Sequence, residues 1–368
     1  MKLKLTTLSP VSIGNGQKMN SFADYIYDAK QKKIHFINKH LIAEKLALDD
    51  KLMNSYVSGI TTGMDNNRTR FELQNFLENV LKLQSSDYIL YSINAHTETS
   101  KDLNCIIKNA DRRPYLPGSS IKGAIKTAIL YDWLIDEKND WCKNYLRCLK
   151  NKEEKEQLEK NLTAEFDKIA LSVSDSTFLS VTEVRVEETK RLKLKSGELE
   201  IPQTWETIPA GQSFEIEISS VRKNSTEYSW EEICDILNIY SNNMIYRERN
   251  ILKNLMLRKD KDEYKALLKF SNDIFEETYK EDSETIYLRV GNGKGYFFNS
   301  VGLALYDTDI SDDKSNFVTF LRDSGFGKRY VDGHMEEYDL HADEFPLTRV
   351  VEFADTKPMG WVKLELIK

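Results

Sequence analysis

The sequence has no long apolar run. No segment of the 368-residue chain approaches the roughly 18 consecutive apolar residues that a membrane-spanning helix requires. The first residues, MKLKLTTLSPVSIG, alternate apolar and polar side chains as a strand does, and they contain no signal-peptide core. Membrane insertion and secretion are therefore not expected, and the sequence predicts a cytoplasmic protein.

Cysteine and histidine are scarce, and neither forms a metal-binding pattern. The four cysteines include no C-x-x-C pair, so reduced thiols are expected and a structural zinc site is not. H-E-x-x-H and His-Asp patterns are absent from the five histidines, which are His35, His40, His96, His334 and His341. A G-x-S-x-G nucleophile elbow is also missing. The sequence thus predicts no catalytic residue, no metal and no cofactor.

Positive charge is not in excess either. The 52 lysines and arginines are outnumbered by 59 acidic residues, which gives a net charge of −7. A dedicated nucleic-acid-binding protein is often basic overall, so the total charge counts mildly against that function. Phosphate binding depends on the local potential, however, and the distribution of charge along the chain therefore decides.

One basic segment, residues 112–126, stands out. It contains no acidic residue, and its basic residues are Arg112, Arg113, Lys122 and Lys126. The two prolines of this segment favour an extended approach, and Gly118 permits a tight turn. Ser119 or Ser120 is then expected to cap a helix that runs to about Ile135.

The lysines at the start of this helix lie where acids are normally favoured. Lys122 occupies the acidic position of a capping box, and Lys126 follows one turn later. Each cation at a helix N-terminus costs about 0.3–1 kcal/mol, and a bound anion would reverse that effect. The pattern favours phosphate binding over an ordinary capped helix. It is not a Walker motif, because Lys122 precedes Gly123 and Ala124 follows it.

A second glycine-rich loop follows a predicted strand. Gly291, Gly293 and Gly295 surround Lys294, a pattern that lets a backbone lie against a flat or charged partner. The aromatic run 296–298 follows directly and is suited to stacking on bases, although at least one ring is expected in the core. A tight structural turn is the alternative. The spacing does not match the dinucleotide-binding fingerprint.

A third basic stretch, residues 185–195, is predicted to form a basic ribbon on two adjoining strands. Two acids, Glu187 and Glu188, face five basic residues there, namely Arg185, Lys190, Arg191, Lys193 and Lys195. A solvated strand face is the alternative interpretation, so this stretch supports nucleic-acid binding without establishing it.

Strand and helix patterns are mixed without regular alternation, which predicts an α+β fold with mostly antiparallel sheet. Strands are predicted near residues 3–13, 22–27, 33–37, 87–93, 182–186, 191–194, 213–219, 286–290, 350–353 and 360–367. Helices are predicted near residues 41–57, 70–83, 119–135, 230–257 and 264–278. The charged residues 150–160 are interpreted as a solvated helix or a mobile connection. A division into an N-terminal domain with a helical insertion, residues 1–220, and a C-terminal α+β domain, residues 221–368, is also expected.

Three stretches resemble one known family. They are PYLPGSSIKGAIKTAIL, LRVGNGKGYFFNSVG and FPLTRVVEFADTKPMGWVKLEL. They resemble RAMP proteins, the RRM-like subunits of CRISPR effector complexes, and among these the family that supplies the fifth Csm subunit of type III-A complexes. The first stretch is fairly specific, the glycine loop alone is weak, and the middle helices match loosely.

The resemblance implies a ferredoxin-like (RRM-like) core and a position at the end of the complex that carries the crRNA 3′ region. It implies crRNA and other Csm subunits, the RAMP backbone subunits, as partners in antiviral defence. It also implies no intrinsic nuclease, with support of crRNA maturation through recruited host nucleases. The aromatic RNP motifs of single-strand-binding RRM domains are absent here, which favours backbone contact through loops.

The predicted RNA-binding residues come from the resemblance and from the charge pattern. From the first motif they are Gly118, Ser119, Ser120, Lys122, Gly123 and Lys126, and from the second Gly291, Gly293, Lys294 and Gly295. Local charge adds Arg112, Arg113, Arg185, Arg191 and Lys193. Replacing Lys122 and Lys126 together by Glu is expected to weaken RNA binding strongly while leaving folding nearly intact.

Two alternatives remain open from the sequence. One is a RAMP-type endoribonuclease acting on crRNA precursor or target RNA, for which Asp24 is the only early candidate. Asp24 lies at a predicted strand start, which favours a structural role for it. The other alternative is a scaffold subunit without RNA contact.

Overall fold

The computed structural model of the protein describes residues 1–65, 71–95, 102–278, 284–331 and 333–367. Two residues named in the sequence predictions lie outside these ranges. They are Arg70, the first residue of a predicted helix, and His96.

Strands are distributed along the whole chain. Their bounds are β1 Lys2–Thr7, β2 Gly14–Met19, β3 Tyr25–Asp28, β4 Lys33–Ile37, β5 Ile89–Ala95, β6 Leu103–Ile106, β7 Ile169–Ala170, β8 Arg185–Lys193, β9 Glu198–Thr207, β10 Ser213–Glu217, β11 Val221–Lys223, β12 Thr226–Tyr228, β13 Thr285–Arg289, β14 Lys328–Val331, β15 His334–Glu337, β16 Thr348–Glu352 and β17 Trp361–Leu366.

Helices occupy the longer connections between strands. Their bounds are α1 Lys39–Leu46, α2 Asp50–Asp65, α3 Leu73–Asn75, α4 Ser85–Tyr88, α5 Gly118–Ile135, α6 Trp141–Arg147, α7 Lys152–Asp167, α8 Trp230–Arg258, α9 Asp262–Thr278, α10 Gly302–Thr308 and α11 Ser315–Asp323. A π-helical turn, Phe76–Val80, directly continues α3.

A four-stranded antiparallel sheet joins the two ends of the chain. Its order is β10-β1-β17-β13, and Leu3 pairs with both Ile216 and Leu366. The apolar side chains of this sheet share one core with α5 and α8, for example Leu5, Ile125 and Leu237. Burial of this face fixes the register, because a shift by one residue would turn every apolar side chain outward.

A larger sheet has the order β2-β6-β9-β8-β5-β4-β3, and β16 also pairs with β8. Most pairings are antiparallel, and β5–β8 and β6–β9 are parallel. The predicted α+β fold with mostly antiparallel sheet is therefore confirmed. The division at residues 220 and 221 stays a prediction. The four-stranded sheet takes strands from both sides of that position.

Several predicted elements differ from the structure in detail. The helix predicted at 41–57 is two helices, α1 and α2, which are separated at residues 47–49. The strand predicted near residues 3–13 ends at Thr7 as β1, and β2 begins at Gly14. The strands predicted at 182–186 and 191–194 form one continuous strand, β8, which pairs with β9 and β16. Periodicity predicted the elements but not these boundaries, because pairing partners set strand length.

The cysteines are free thiols, as predicted, and all four are buried. Burial raises the pKa of the Cys105, Cys142 and Cys234 thiols to about 12. Within the described ranges, no helix is long and apolar enough to cross a membrane.

Glu187 on β8 is a buried carboxyl group. One of its oxygens, Oε2, has no hydrogen-bond partner among the described residues. Burial, followed by repulsion from Glu352, raises the pKa of Glu187 to about 7. Arg185, Asp355 and Lys357 also act on this carboxyl group. Since the folded state holds the proton more tightly than the unfolded chain, stability falls as the pH rises from about 4.5 through 7.

We therefore expect Glu187→Gln to remove about 2–3 kcal/mol of pH-dependent destabilisation between pH 4 and pH 8. Urea denaturation at pH 4 and at pH 8 measures the free energy of unfolding of wild type and variant. Glu188→Gln is the matched control, because the Glu188 carboxylate lies 3.1 Å from the Lys190 ammonium and its side chain is 23% exposed. Equal pH dependence in wild type and Glu187→Gln would contradict the assignment.

Candidate nucleic-acid interface

The basic turn leads into α5 in a way that differs from the prediction. The helix begins at Gly118, and no side chain of the preceding turn caps it. The predicted Ser119 or Ser120 cap is therefore wrong. Instead, the N–H of Gly118 donates to Oδ1 of Asp175 at 2.8 Å. A carboxylate from a distant segment thus supplies the anion that the helix N-terminus favours.

Gly118 is buried against that same segment. A Cβ atom at this position would lie 2.2 Å from the carbonyl oxygen of Val173 and 2.6 Å from that of Ser174. The close approach that Gly118 permits is therefore to the protein's own backbone. Ser119 is exposed and Ser120 is half-buried, so these residues form the open part of the turn.

The two lysines of α5 have different surroundings. Lys122 is half-buried and lines an open hollow of about 460 Å³ together with Ser172 and Arg222. Lys126 is buried, and its ammonium lies 4.1 Å from the centre of the Phe166 ring. Burial, with the charge of Lys122, lowers the pKa of Lys126. Only Lys122 is open to an anion, and the expectation that both lysines can be replaced without affecting folding applies to Lys122 alone.

Arg112 and Arg113 are both exposed, and each stacks on an aromatic ring. The Arg112 guanidinium lies 5.4 Å from the Tyr91 ring centre. That of Arg113 lies 5.5 Å from the Phe178 ring centre and donates to the Phe178 carbonyl at 3.2 Å. Stacking leaves the edges of a guanidinium available for further hydrogen bonds.

The second glycine loop is held in place by the segment before β2. The N–H of Asn292 donates to the carbonyl of Ser12 at 2.7 Å, and a Cβ at Gly291 would lie 2.5 Å from that same oxygen. Gly291, Gly293 and Gly295 all have positive φ angles, of 75°, 79° and 86°. Only at Gly295 is the space around a Cβ open. The loop is therefore a tight structural turn with one open end.

This loop forms one wall of a cavity of about 470 Å³. The structure brings four predicted residues together around it, and they are Arg191, Gly293, Lys294 and Gly295. Lys122 does not line this cavity and belongs to the separate hollow that it borders with Ser172 and Arg222. Within the described residues, the Lys294 ammonium has neither an ion pair nor a hydrogen bond. Burial, with the charge of Arg289, lowers its pKa.

The predicted basic ribbon is only partly present. Four of its five basic residues lie on one strand, β8, and Lys195 lies in the turn that follows. The adjoining strand β9 contributes acids instead. Lys193 is paired with Glu200 at 2.6 Å. Arg185 and Arg191 are exposed, and of these two only Arg191 reaches the cavity. The prediction of two basic strands was wrong because it divided β8 in two.

The aromatic run after the glycine loop is mostly core. Phe297 and Phe298 are buried, which confirms that part of this run is structural. Tyr296 is half-buried and lines the cavity together with Phe326 and Tyr338. The cavity therefore has aromatic walls beside its basic rim.

Comparison with known proteins identifies the family. The model of the RAMP superfamily matches residues 4–298. The chain belongs to the RAMP superfamily.

Two RAMP relatives carry the same name. One is the CRISPR system Cms protein Csm5 of Methanocaldococcus jannaschii, 27% identical over 398 residues, covering 100% of this chain and 89% of the relative. The other is Csm5 of Streptococcus thermophilus, 31% identical over 139 residues, covering 35% of this chain and 37% of the relative.

Two solved structures share this RAMP fold. A chain in a cryo-EM structure of a Csm–crRNA–target RNA ternary complex of a type III-A system matches with a TM-score of 0.66 at 20% identity, covering 99% of this chain and 100% of that one. The crystal structure of T. onnurineus Csm5 matches with a TM-score of 0.60 at 18% identity, covering 98% and 99%.

Several cavity residues of this RAMP chain were missed from the sequence. The arginines Arg247, Arg289 and Arg349 come from α8, β13 and β16, with no local pattern to unite them. Arg349 donates to both carboxylate oxygens of Glu248, with Nε 2.8 Å from each. Arg289 donates to the carbonyls of Met359 and Gly293, and burial lowers its pKa to about 10. Of these three arginines, Arg289 and Arg349 could have been identified from the sequence, because both lie in stretches that resemble the family.

Asp24 has the contacts of a structural residue. It is buried, its Oδ2 accepts from the N–H of Asn20 at 2.7 Å, and its Oδ1 is paired with Lys39. Across the part of the chain that the structure describes, no group of three or more His, Cys, Asp and Glu side chains is placed to hold a metal ion.

We expect Gly118→Ala to destabilise the protein by about 1–3 kcal/mol, because the added methyl group would meet the Val173 backbone. Gly123→Ala is the matched control in the same helix, where a Cβ has nothing within 4 Å. This second change should stabilise by about 0.5–1 kcal/mol. Urea denaturation measures both, and equal effects would rule out the close approach at Gly118.

Proposed function

We propose that this chain is a non-catalytic crRNA-binding subunit of a type III-A CRISPR ribonucleoprotein. The observation that carries the proposal is the cavity at which the glycine loop, Arg191 and an unpaired Lys294 meet. The Csm5 name of its relatives supports the same assignment. In this assignment the subunit binds the crRNA 3′ region and supports crRNA maturation in antiviral defence.

Phosphate contacts are the physical basis of the proposed binding. Cationic side chains release counterions from the RNA backbone, and this effect does not depend on base sequence. Lys122 and Arg222 border one hollow, and Lys294 and Arg191 border the cavity. Both places are basic on a chain whose net charge is −7. RNA contact is therefore local, as expected for a subunit that works inside an assembly.

The proposed partners follow from this role. They are crRNA and the other Csm subunits, and the fold is shared with a chain of a Csm–crRNA–target RNA complex. Recruitment of host nucleases for 3′-end maturation belongs to the proposal as well, because the subunit itself is proposed not to cut. A cytoplasmic location follows from the same partners.

We expect Lys294→Glu and Lys122→Glu each to weaken binding of single-stranded RNA about tenfold, since a hydrogen bond to a charged group contributes about 1.5–3 kcal/mol. The slope of log K against log salt should fall by about 0.7 for each phosphate that the variant no longer neutralises. Fluorescence anisotropy with the purified chain at several salt concentrations measures both quantities.

Lys152→Glu is the matched control for this charge reversal, because Lys152 is exposed on α7 and lines neither basic site. It should change affinity little. Unaltered RNA affinity in both Lys294→Glu and Lys122→Glu would contradict the proposed function and favour a scaffold without RNA contact.

The proposed absence of nuclease activity has its own test. Labelled RNA incubated with the purified chain and Mg²⁺ should stay intact, because Asp24 is engaged with Asn20 and Lys39. Denaturing electrophoresis measures it. Metal-dependent cutting that disappears in Asp24→Ala would establish the endoribonuclease alternative instead.

A further inference from the structure

The cavity behind the glycine loop has the size of a small-molecule site. Its volume of about 470 Å³ falls within the roughly 300–1,000 Å³ of typical ligand pockets. Residues from α8, β13, β16 and the glycine loop line it together, so it lies where distant segments of the chain meet. Such a space is wider than phosphate contact at a surface requires.

The charge of the lining is strongly positive. Among the described residues, one carboxylate, Glu248, faces five cationic side chains, which are Arg191, Arg247, Arg289, Lys294 and Arg349. Glu248 is already neutralised by the two-pronged contact with Arg349. Arg289 is held by two backbone carbonyls, which carry no full charge. The remaining positive charge has no counter-charge in the described lining.

Two cations and one further nitrogen are left without partners within the described part of the chain. Arg191 and Lys294 form no ion pair there. The Nε of buried Arg247 has no hydrogen-bond partner there, although its terminal nitrogen donates to the carbonyls of Ala342 and Phe345. Buried polar groups normally find a partner, and Arg247 lines both this cavity and the neighbouring one beside Tyr306, so its unsatisfied N–H lacks an acceptor that a ligand would supply.

The walls of the cavity are aromatic. Tyr296, Phe326 and Tyr338 are half-buried and contribute to the lining, beside the buried Phe298 and Trp361. Aromatic faces stack on any of the four bases, with about 1–3 kcal/mol per base. A ligand with one anionic group and one flat ring would pair with the cations and stack on the aromatic side chains.

We propose that this cavity receives one unstacked nucleotide, with its phosphate at Lys294 and Arg191 and its base between the aromatic walls. The inference deepens the proposed RNA binding and rests on it. It assigns a base site to a chain that lacks the RNP aromatics of sheet-face recognition. A nucleotide within an RNA strand is favoured over a free one, because Arg191 and Gly295 are exposed at the rim, where a strand can continue.

The test uses single-stranded RNAs that each carry 2-aminopurine at one position, bound to the full chain. Stacking in the cavity should lower the 2-aminopurine fluorescence about threefold or more when the probe occupies the position that enters the cavity. Thr348→Trp, which enlarges a half-buried lining residue of β16, should restore that emission and raise the Kd about three- to tenfold. Thr226→Trp is the matched control on the exposed strand β12, and it should change neither the 2-aminopurine fluorescence nor the Kd.

Lys294→Gln gives a second route that does not depend on filling the cavity, and it should weaken binding while reducing the emission change at the same position. RNA binding of normal affinity without a responsive position would overturn the inference and leave the proposed function standing. The inference also fails if Thr348→Trp folds but keeps the wild-type emission change. Absence of RNA binding by the wild-type chain at low salt would overturn both.

Competition with free AMP distinguishes a nucleotide within an RNA strand from a free nucleotide as the occupant of the cavity. Added at millimolar concentration, it should displace the labelled base only weakly, because the strand contributes further contacts outside the cavity. Displacement at micromolar concentration would overturn the assignment to a nucleotide held within a strand.

Discussion

The last strand of the chain, β17, lies between β1 and β13 and hydrogen-bonds to both. The turn before β17 has to pass very close to the end of β13. A Cβ at Gly360, where φ is 90°, would lie 2.2 Å from the carbonyl oxygen of Val290. Gly360 also donates to the carbonyl of Pro10. This approach fixes the glycine loop against the start of the chain, and the wall of the cavity depends on it.

An acidic chain holds a basic cavity because the one carboxylate of the described lining is paired and other nearby acids are engaged with their own partners. Glu248 is paired with Arg349, and Glu200 with Lys193. Asp175 is engaged at the start of α5, where it satisfies the Gly118 N–H. Each acid is thereby removed from competition with a bound anion. The local potential, and not the net charge, therefore determines where an anion can be stabilised on this chain.

Elements and motifs whose signal is local were predictable from the amino-acid sequence. The span of α5 and the tight glycine loop both follow from spacing and composition, and both are present. The helix cap and the burial of Lys126 were not predicted, because both depend on contacts between residues that are distant in the sequence. Asp175 caps a helix 57 positions away along the chain, and the burial of Lys126 depends on Phe166. No local sequence pattern predicts either contact, because both depend on tertiary packing.

The two basic sites suit an RNA whose sequence varies. The proposed phosphate contacts at Lys122 and Lys294 would carry no sequence information, because every nucleotide presents the same backbone. A stacking cavity adds affinity and still accepts each base, since all four have an aromatic face. Hydrogen bonds to base edges would instead select a sequence. The proposed combination of backbone contact and stacking would therefore let one subunit hold guide RNAs of many sequences.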